Sequence, residues 1–336
     1  MESLKFIPVG WVISLLPMLV SCAVIYEEPA SSSNSLHTLK INNYLGNTEN
    51  IHPKVLYFPQ GWNGFEFWMA YTPYPKGDID AENPCIAVSH DGISWSTPEG
   101  LINPLASARK NHYNSDTHLV YNSTVDKLEC WWREYDIPSN TDAIYRRVSS
   151  DGVHWQETEL ILPDDDINYA RLSPAVWIEE GEYRMVYSNG RRLFLIRAEA
   201  GSSLDEWTSP VELPIDWDNL SAWHHDLILD VDGRYKLIVC AFETGVGDNN
   251  SADLYFVTLN HDFEDASAPV RILSRGSDPD DFDFRSIYRS SVVRVGEEYF
   301  VYYSAISKNW TRAMAVLRGE DLTALRQLTD EEMGCE

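Results

Sequence analysis

Helical periodicity is the scarcest feature of this sequence. Beyond an apolar N-terminal run, no stretch keeps hydrophobic residues at the three- and four-residue spacing of a sustained amphipathic helix, which argues against helical bundles and alternating α/β folds. Positive charge is also short: 26 Lys and Arg face 52 Asp and Glu, a formal charge of −26. Such a field repels polyanions, so no nucleic-acid partner is expected and the acidic surface serves solubility. Cysteine is sparse, and Cys85, Cys130 and Cys240 stand in apolar strand patterns without metal-ligand or redox spacing, as buried small hydrophobes do. No glycine-rich phosphate loop and no Gly-x-Ser-x-Gly elbow is found. The acidic runs at 164–166 and 278–283 lack the glycine and terminal glutamate of an EF-hand loop and read as solvated connections.

Charge is missing altogether between Phe6 and Tyr26. That segment leads to a membrane or out of the cell. Its Leu19-Val20-Ser21-Cys22 resembles the lipobox of bacterial lipoproteins, in which the peptide is cut before the cysteine and that cysteine carries the lipid. The expected organisation is a lipoprotein-type signal at 1–22, with an uncleaved signal anchor as the alternative, a polar linker at 23–38 and a folded body at 39–330. Both alternatives put the body outside the cytoplasm, at the outer membrane or cell surface, as a membrane-anchored monomer.

The body repeats itself. Ser89-His-Asp-Gly-Ile-Ser-Trp95 returns sixty residues later as Ser149-Ser-Asp-Gly-Val-His-Trp155, with a worn copy at Leu204-Asp-Glu-Trp207. Apolar runs open at Val55, Leu119, Ala175, Leu227 and Val292, each followed by a strand with aromatic and aliphatic residues two apart and then a third strand. Five units of this length are what a propeller of four-stranded antiparallel blades produces. The blades are expected at about 50–105, 112–165, 170–215, 222–273 and 286–328. Each Asp-Gly pair supplies a positive-φ residue for the turn after the third strand, and the following tryptophan is set to pack between blades.

These units resemble the five-bladed β-propeller shared by the arabinanase and xylosidase-type glycoside hydrolases and the invertase and levanase-type enzymes, over roughly residues 50 to 325. The resemblance implies a polysaccharide or oligosaccharide held in a central funnel. A non-catalytic carbohydrate-binding propeller is the alternative.

In a propeller the first strand of every blade lines the axis. The residues just before the apolar runs therefore converge: Ile51-His-Pro53, Asn114-Ser-Asp-Thr-His118, Arg171-Leu-Ser-Pro174, Trp223-His-His-Asp226 and Ile287-Tyr-Arg-Ser290. Glycoside hydrolysis needs one protonated and one ionised carboxyl across the scissile bond. The expected set is Asp116 as base, Glu134 as acid and Asp226 as orienter or alternative base, with the roles open to permutation. His52, His118, Arg133, Arg171, His224 and Arg289 would hold sugar hydroxyls or a carboxylate, and Trp223, Trp62 or Trp68 would stack on a pyranose. The match to the family is partial, because His52-Pro53 stands where those enzymes carry a base aspartate, and Ser173-Pro174 opens the blade that supplies their acid. No short ligand spacing marks a metal, so no cofactor is expected, and a calcium ion on the axis, as in some relatives, is the alternative.

Overall fold

The computed structural model describes residues 37–163, 171–201, 204, 206–245 and 251–334. Cys22, its apolar run, Cys335 and the acidic run at 164–166 lie outside them. The described body is a five-bladed β-propeller. Blade 1 is β1 (Asn50–Trp62), β2 (Phe65–Pro73) and β3 (Cys85–Ser89), and blade 2 is β4 (His112–Asn122), β5 (Lys127–Asp136), β6 (Thr141–Ser149) and β7 (Glu159–Leu162). Blade 3 is β8 (Leu172–Glu179), β9 (Glu182–Ser188), β10 (Leu193–Glu199) and β11 (Val211–Glu212). Blade 4 is β12 (Leu220–Leu229), β13 (Tyr235–Glu243), β14 (Asp253–Leu259) and β15 (Val270–Leu273), and blade 5 is β16 (Ser286–Val295), β17 (Glu298–Ile306), β18 (Arg312–Gly319) and β19 (Arg326–Gln327).

One blade departs from the four-stranded expectation. After β3, blade 1 keeps only the isolated Val88–Ser96 bridge. The segment beyond carries Pro98 and Pro104, which have no amide hydrogen to donate to a ladder. The first strands β1, β4, β8, β12 and β16 touch in turn around the axis, and β16 returns to β1. Leu39 helps to close the ring: its amide donates to the Met314 carbonyl at 2.8 Å, and Leu39 and Ile41 are buried with residues of blades 1 and 5.

The repeated heptapeptide is scaffold. Ser89 Oγ accepts from the Gly92 amide at 2.9 Å, Asp91 Oδ1 accepts from the Ile93 and Ser94 amides at 2.7 Å, and Trp95 Nε1 donates to the Gly92 carbonyl at 3.1 Å. Ser149, Asp151 and Trp155 repeat the arrangement. Glycine is required at the turn on two counts: φ is +74° at Gly152, and a Cβ there would stand 2.1 Å from the Trp68 ring of blade 1. Cys85, Cys130 and Cys240 are free and buried, as their strand context implies.

Candidate active site on the propeller axis

All five first strands break register at one equivalent place, and β1 does so once more between Tyr57 and Trp62. Between Ile51 and Lys54, Ser115 and His118, Leu172 and Ala175, Ala222 and His225, and Ile287 and Ser290, the inner strand advances three residues while its partner advances two. A bulge of this kind twists the strand and re-aims its side chains. In three blades the bulged residue takes positive φ: His52 at 56°, Asp116 at 53° and Ser173 at 53°. For residues with a Cβ this conformation costs on the order of 1 kcal/mol each, and it persists where the surroundings enforce it.

The bulges gather His52, Asp116 and His224 into one buried cluster whose potential ligand atoms lie within 4.8 Å of one another. Asp116 Oδ1 is 3.4 Å from His52 Nε2 and 3.2 Å from His224 Nδ1. Ser173 Oγ donates to Asp116 Oδ1 at 3.1 Å and also bonds His224 Nδ1. Arg289, fully buried, sets Nη1 3.5 Å from Asp116 Oδ1. Tyr288 packs its ring on His224, 4.5 Å between centroids, and Trp223 packs on His224 at 4.2 Å.

One participant comes from outside the first strands. Glu82, 3% exposed, follows the 3-10 turn Ile79–Ala81 and brings Oε1 to 3.3 Å from His52 Nδ1, which also meets Thr72 Oγ1 at 2.9 Å and accepts from the Asp116 amide at 3.2 Å. Burial and then the Asp116 charge push the Glu82 carboxyl well above its usual range. Burial also opposes ionisation of Asp116, yet His52, His224 and the Arg289 guanidinium hold its carboxyl well below the usual value. Desolvation lowers both His52 and His224 against the pull of Asp116. The centre thus pairs an ionised Asp116 with neutral imidazoles and a protonated Glu82.

That protonation pattern is the one a metal site requires. His52 Nε2, which faces Asp116, is buried without a hydrogen-bond partner. The 3.4 Å from Asp116 Oδ1 to His52 Nε2 and the 3.2 Å to His224 Nδ1 match pairs of ligands about 2.1 Å from a common ion at a near-tetrahedral angle, so the atoms placed to share an ion are Asp116 Oδ1, His52 Nε2 and His224 Nδ1. Two imidazoles and a carboxylate suit zinc or another first-row transition metal and do not suit calcium, which takes oxygen ligands. The sequence hides this set because its members come from three blades, with no short spacing between them.

The expected carboxyl set is redistributed. Asp116 stands at the centre, but Asp226 lies two residues beyond the bulged pair of β12, where Lys54 Nζ meets its oxygens at 2.7 and 2.9 Å and the Val292 amide donates at 3.1 Å. Asp226 is thus ion-paired with Lys54 of blade 1 across the axis. Glu134 faces the other side of β5 from Arg133, because successive strand residues alternate. It accepts from Arg109 Nε at 2.9 Å and borders a separate cleft with His112, Tyr145 and Leu160, so the structure does not bring it together with Asp116.

Arg133 backs the centre, 3.8 Å from Asp116 Oδ2 and 2.9 Å from Asp142 Oδ2. His118 Nε2 bonds the Val176 carbonyl at 2.9 Å, and His225 Nε2 the Val186 carbonyl at 3.0 Å, each tying neighbouring blades. Arg171 donates to the Pro163 carbonyl at 3.1 Å and, through its amide, to Asp142 at 3.0 Å. Trp62 and Trp68 are core residues between blades 1 and 2, so neither is a stacking platform.

No protein-family model matches the sequence. The A type blood N-acetyl-alpha-D-galactosamine deacetylase of Flavonifractor plautii is 26% identical over 91% of this chain, and the chain spans 45% of the length of that curated relative. The crystal structure of an N-acetylgalactosamine deacetylase from F. plautii in complex with blood group B trisaccharide superposes with a TM-score of 0.70 at 22% identity, covering 87% of this chain and 93% of that one. A thermostable family-43 glycoside hydrolase follows at a TM-score of 0.60 and 14% identity (87% and 95% covered), and a family-43 protein of Bacillus licheniformis at 0.57 and 15% (84% and 54%). The chain has the five-bladed propeller fold common to the family-43 glycoside hydrolases and this deacetylase.

Proposed function

We propose that the chain is a carbohydrate-active hydrolase that removes an acetyl group from an N-acetylated sugar at His52, Asp116 and His224. The observation that carries this reading is the convergence of two neutral imidazoles on an ionised carboxylate, with His52 Nε2 and His224 Nδ1 at 3.4 and 3.2 Å from Asp116 Oδ1, at the axis where the five bulges meet. The similarity to a protein named as a deacetylase over 91% of the chain points the same way. A two-carboxyl glycosidase is less well supported, because Asp226 is ion-paired to Lys54 and Glu134 is turned to another face.

In amide hydrolysis water adds to the acetyl carbonyl, the C–N bond breaks, acetate departs and the sugar nitrogen takes up a proton. His52, Asp116 and His224 would hold a metal ion, which would supply carbonyl polarisation and a more acidic water. Asp116 remains anionic through its contacts with Arg289 and Ser173. Glu82 stands behind His52, with Oε1 3.3 Å from its Nδ1, and orients that imidazole. Tyr288 and Trp223 pack edge to face, 4.8 Å between ring centroids, and form the aromatic wall of the centre.

The test is to follow acetate and reducing sugar together on oligosaccharides ending in N-acetylhexosamine. Acetate release that stops on chelation and in Asp116→Asn is expected. Reducing sugar without acetate would overturn the reading in favour of glycoside hydrolysis. We also propose that the body is exported and anchored by lipid on Cys22; loss of palmitate labelling and of membrane association in Cys22→Ala is the expected result, and unchanged association would argue for the uncleaved anchor.

A further inference from the structure

Ser173, at the start of β8, is fully buried, and both hydrogen bonds of its hydroxyl go to the centre: Oγ donates to Asp116 Oδ1 at 3.1 Å and also bonds His224 Nδ1. Its place in the fold explains why. Each bulge sets two residues opposite one on the partner strand: His52-Pro53, Asp116-Thr117, Ser173-Pro174, Trp223-His224 and Tyr288-Arg289. In blades 1, 2 and 3 the first of the two has positive φ, 56°, 53° and 53°, and aims a polar side chain at the axis. Blades 4 and 5 send in the second, His224 and Arg289. Ser173 therefore stands in the third blade where His52 and Asp116 stand in the first and second.

That conformation is held against two backbone preferences. A residue with a Cβ disfavours positive φ, and a residue followed by proline is ordinarily extended with negative φ. Ser173, like His52, precedes a proline and sits at positive φ all the same. A glycine would relieve the strain but would bring no hydroxyl. Strain of this kind persists where the surroundings enforce the aim of a side chain, and it gathers at functional sites.

The geometry does not make Ser173 a nucleophile with a relay behind it. In a Ser-His-Asp triad the serine and the carboxylate meet opposite nitrogens of the imidazole, so that the ring passes a proton between them. Here Ser173 Oγ and Asp116 Oδ1 meet the same nitrogen, His224 Nδ1. What these atoms do is surround one point. The 3.1 Å from Ser173 Oγ to Asp116 Oδ1 stands beside the 3.2 and 3.4 Å from that oxygen to His224 Nδ1 and His52 Nε2, the spacing of ligands that share an ion.

We propose that Ser173 Oγ is a fourth protein ligand of the ion that His52, Asp116 and His224 would hold. The inference rests on the metal centre of the proposed function, but not on the deacetylation assigned to it. The donor set is then two imidazole nitrogens, one carboxylate oxygen and one neutral hydroxyl, a mixture that suits a divalent first-row transition metal. The hydroxyl is the weakest donor of the four, which leaves the coordination expandable, as a catalytic site requires.

Ser173→Cys and Ser173→Ala test it, since both keep a Cβ at this backbone position and neither adds bulk beyond the one atom exchanged or removed. The full chain is stripped with chelator and titrated with Co2+ or Zn2+ alone. With Co2+, Ser173→Cys should develop the intense near-ultraviolet band of thiolate-to-cobalt charge transfer, absent from the wild-type protein and from Ser173→Ala. Ser173→Ala should bind Zn2+ about tenfold more weakly than the wild type. Thr117→Cys is the control: Thr117 Oγ1 donates to the His52 carbonyl at 3.1 Å, so a thiol there should give no band. Far-ultraviolet circular dichroism of every variant should match the wild type, so that the band and the affinity report the ion and not the fold. Cobalt bound by Ser173→Cys without the band, or unchanged zinc affinity in Ser173→Ala, would overturn the ligand. Failure of the wild-type protein to bind either ion would overturn the ligand and the metal centre together. The band and the weakened affinity without acetate release by the wild type would leave Ser173 on the ion and remove the deacetylase reading; chelator-sensitive acetate release with no band in Ser173→Cys would do the reverse.

Discussion

Lys54 reaches across the propeller axis from blade 1 to Asp226 of blade 4, with Nζ 2.7 and 2.9 Å from the two carboxylate oxygens and side-chain exposures of 7% and 1%. The pair closes the channel one layer beyond the His52–Asp116–His224 centre. Removing one partner strands a buried charge, so Asp226→Ala or Lys54→Ala should lower unfolding stability by about 3 to 5 kcal/mol. Replacing both by Leu and Met should recover most of that loss, read by urea unfolding of the single and double variants. An Asp226→Asn variant that keeps stability but loses acetate release would instead return Asp226 to the reaction.

Glu82 governs an alkaline limit. Its folded carboxyl is held protonated by burial and by Asp116, while an unfolded glutamate titrates near pH ~4.3. A raised folded pKa means the contribution is full below the unfolded value and is lost as pH rises through the folded one. Glu82→Gln should therefore flatten the fall in stability toward alkaline pH, measured by urea unfolding across pH in the presence of chelator. The histidines act in the opposite sense: their folded values are depressed, so their contribution is present above about pH 6.5 and is lost on acidification.

Blades are latched by a repeated contact. Tyr183, at the start of the second strand of blade 3, donates to Glu129 of blade 2 at 2.6 Å, and Tyr235 and Tyr299 make the same bond to Glu179 and Asp230 of the preceding blades. Glu129 is 2% exposed, and Tyr183→Phe leaves it with Arg146 and without the hydroxyl. A loss of about 1 to 3 kcal/mol is expected in chemical denaturation, with acetate release retained in the folded fraction.

The blades were legible because their signals are local: period-two apolar runs and Asp-Gly turns, whose packing partners Trp68 and Tyr302 then require glycine at 152 and 92. The convergence of first strands was legible for the same reason, and it brought His52, Asp116, His224 and Arg289 together as expected. Depth along the axis was not. A bulge shifts side-chain phase by one residue, so Asp226, adjacent in sequence to the histidine pair, ends below the centre with Lys54. Strand alternation separates Glu134 from Arg133, which no run of residue types reveals. Glu82 comes from the β2–β3 connection and not from a first strand, so the repetition of first strands could not point to it.

The sharpest test of the centre is Asp116. If its carboxylate is a metal ligand, Asp116→Asn should reduce bound transition metal, measured by elemental analysis of the purified protein, and acetate release by on the order of a hundredfold or more, since a ligand and its charge are lost together. His52→Gln and His224→Gln should reduce metal content in the same manner, because each sets one ring nitrogen within 3.4 Å of Asp116 Oδ1. Arg289→Lys retains the charge beside Asp116 but not the guanidinium fork that reaches both Asp116 and His118, each at 3.5 Å. It should keep metal while shifting the acid side of the pH–rate profile upward, because Asp116 is less well held in its ionised form. Full metal occupancy and wild-type rates in Asp116→Asn would show that the cluster is a structural plug like Lys54 and Asp226.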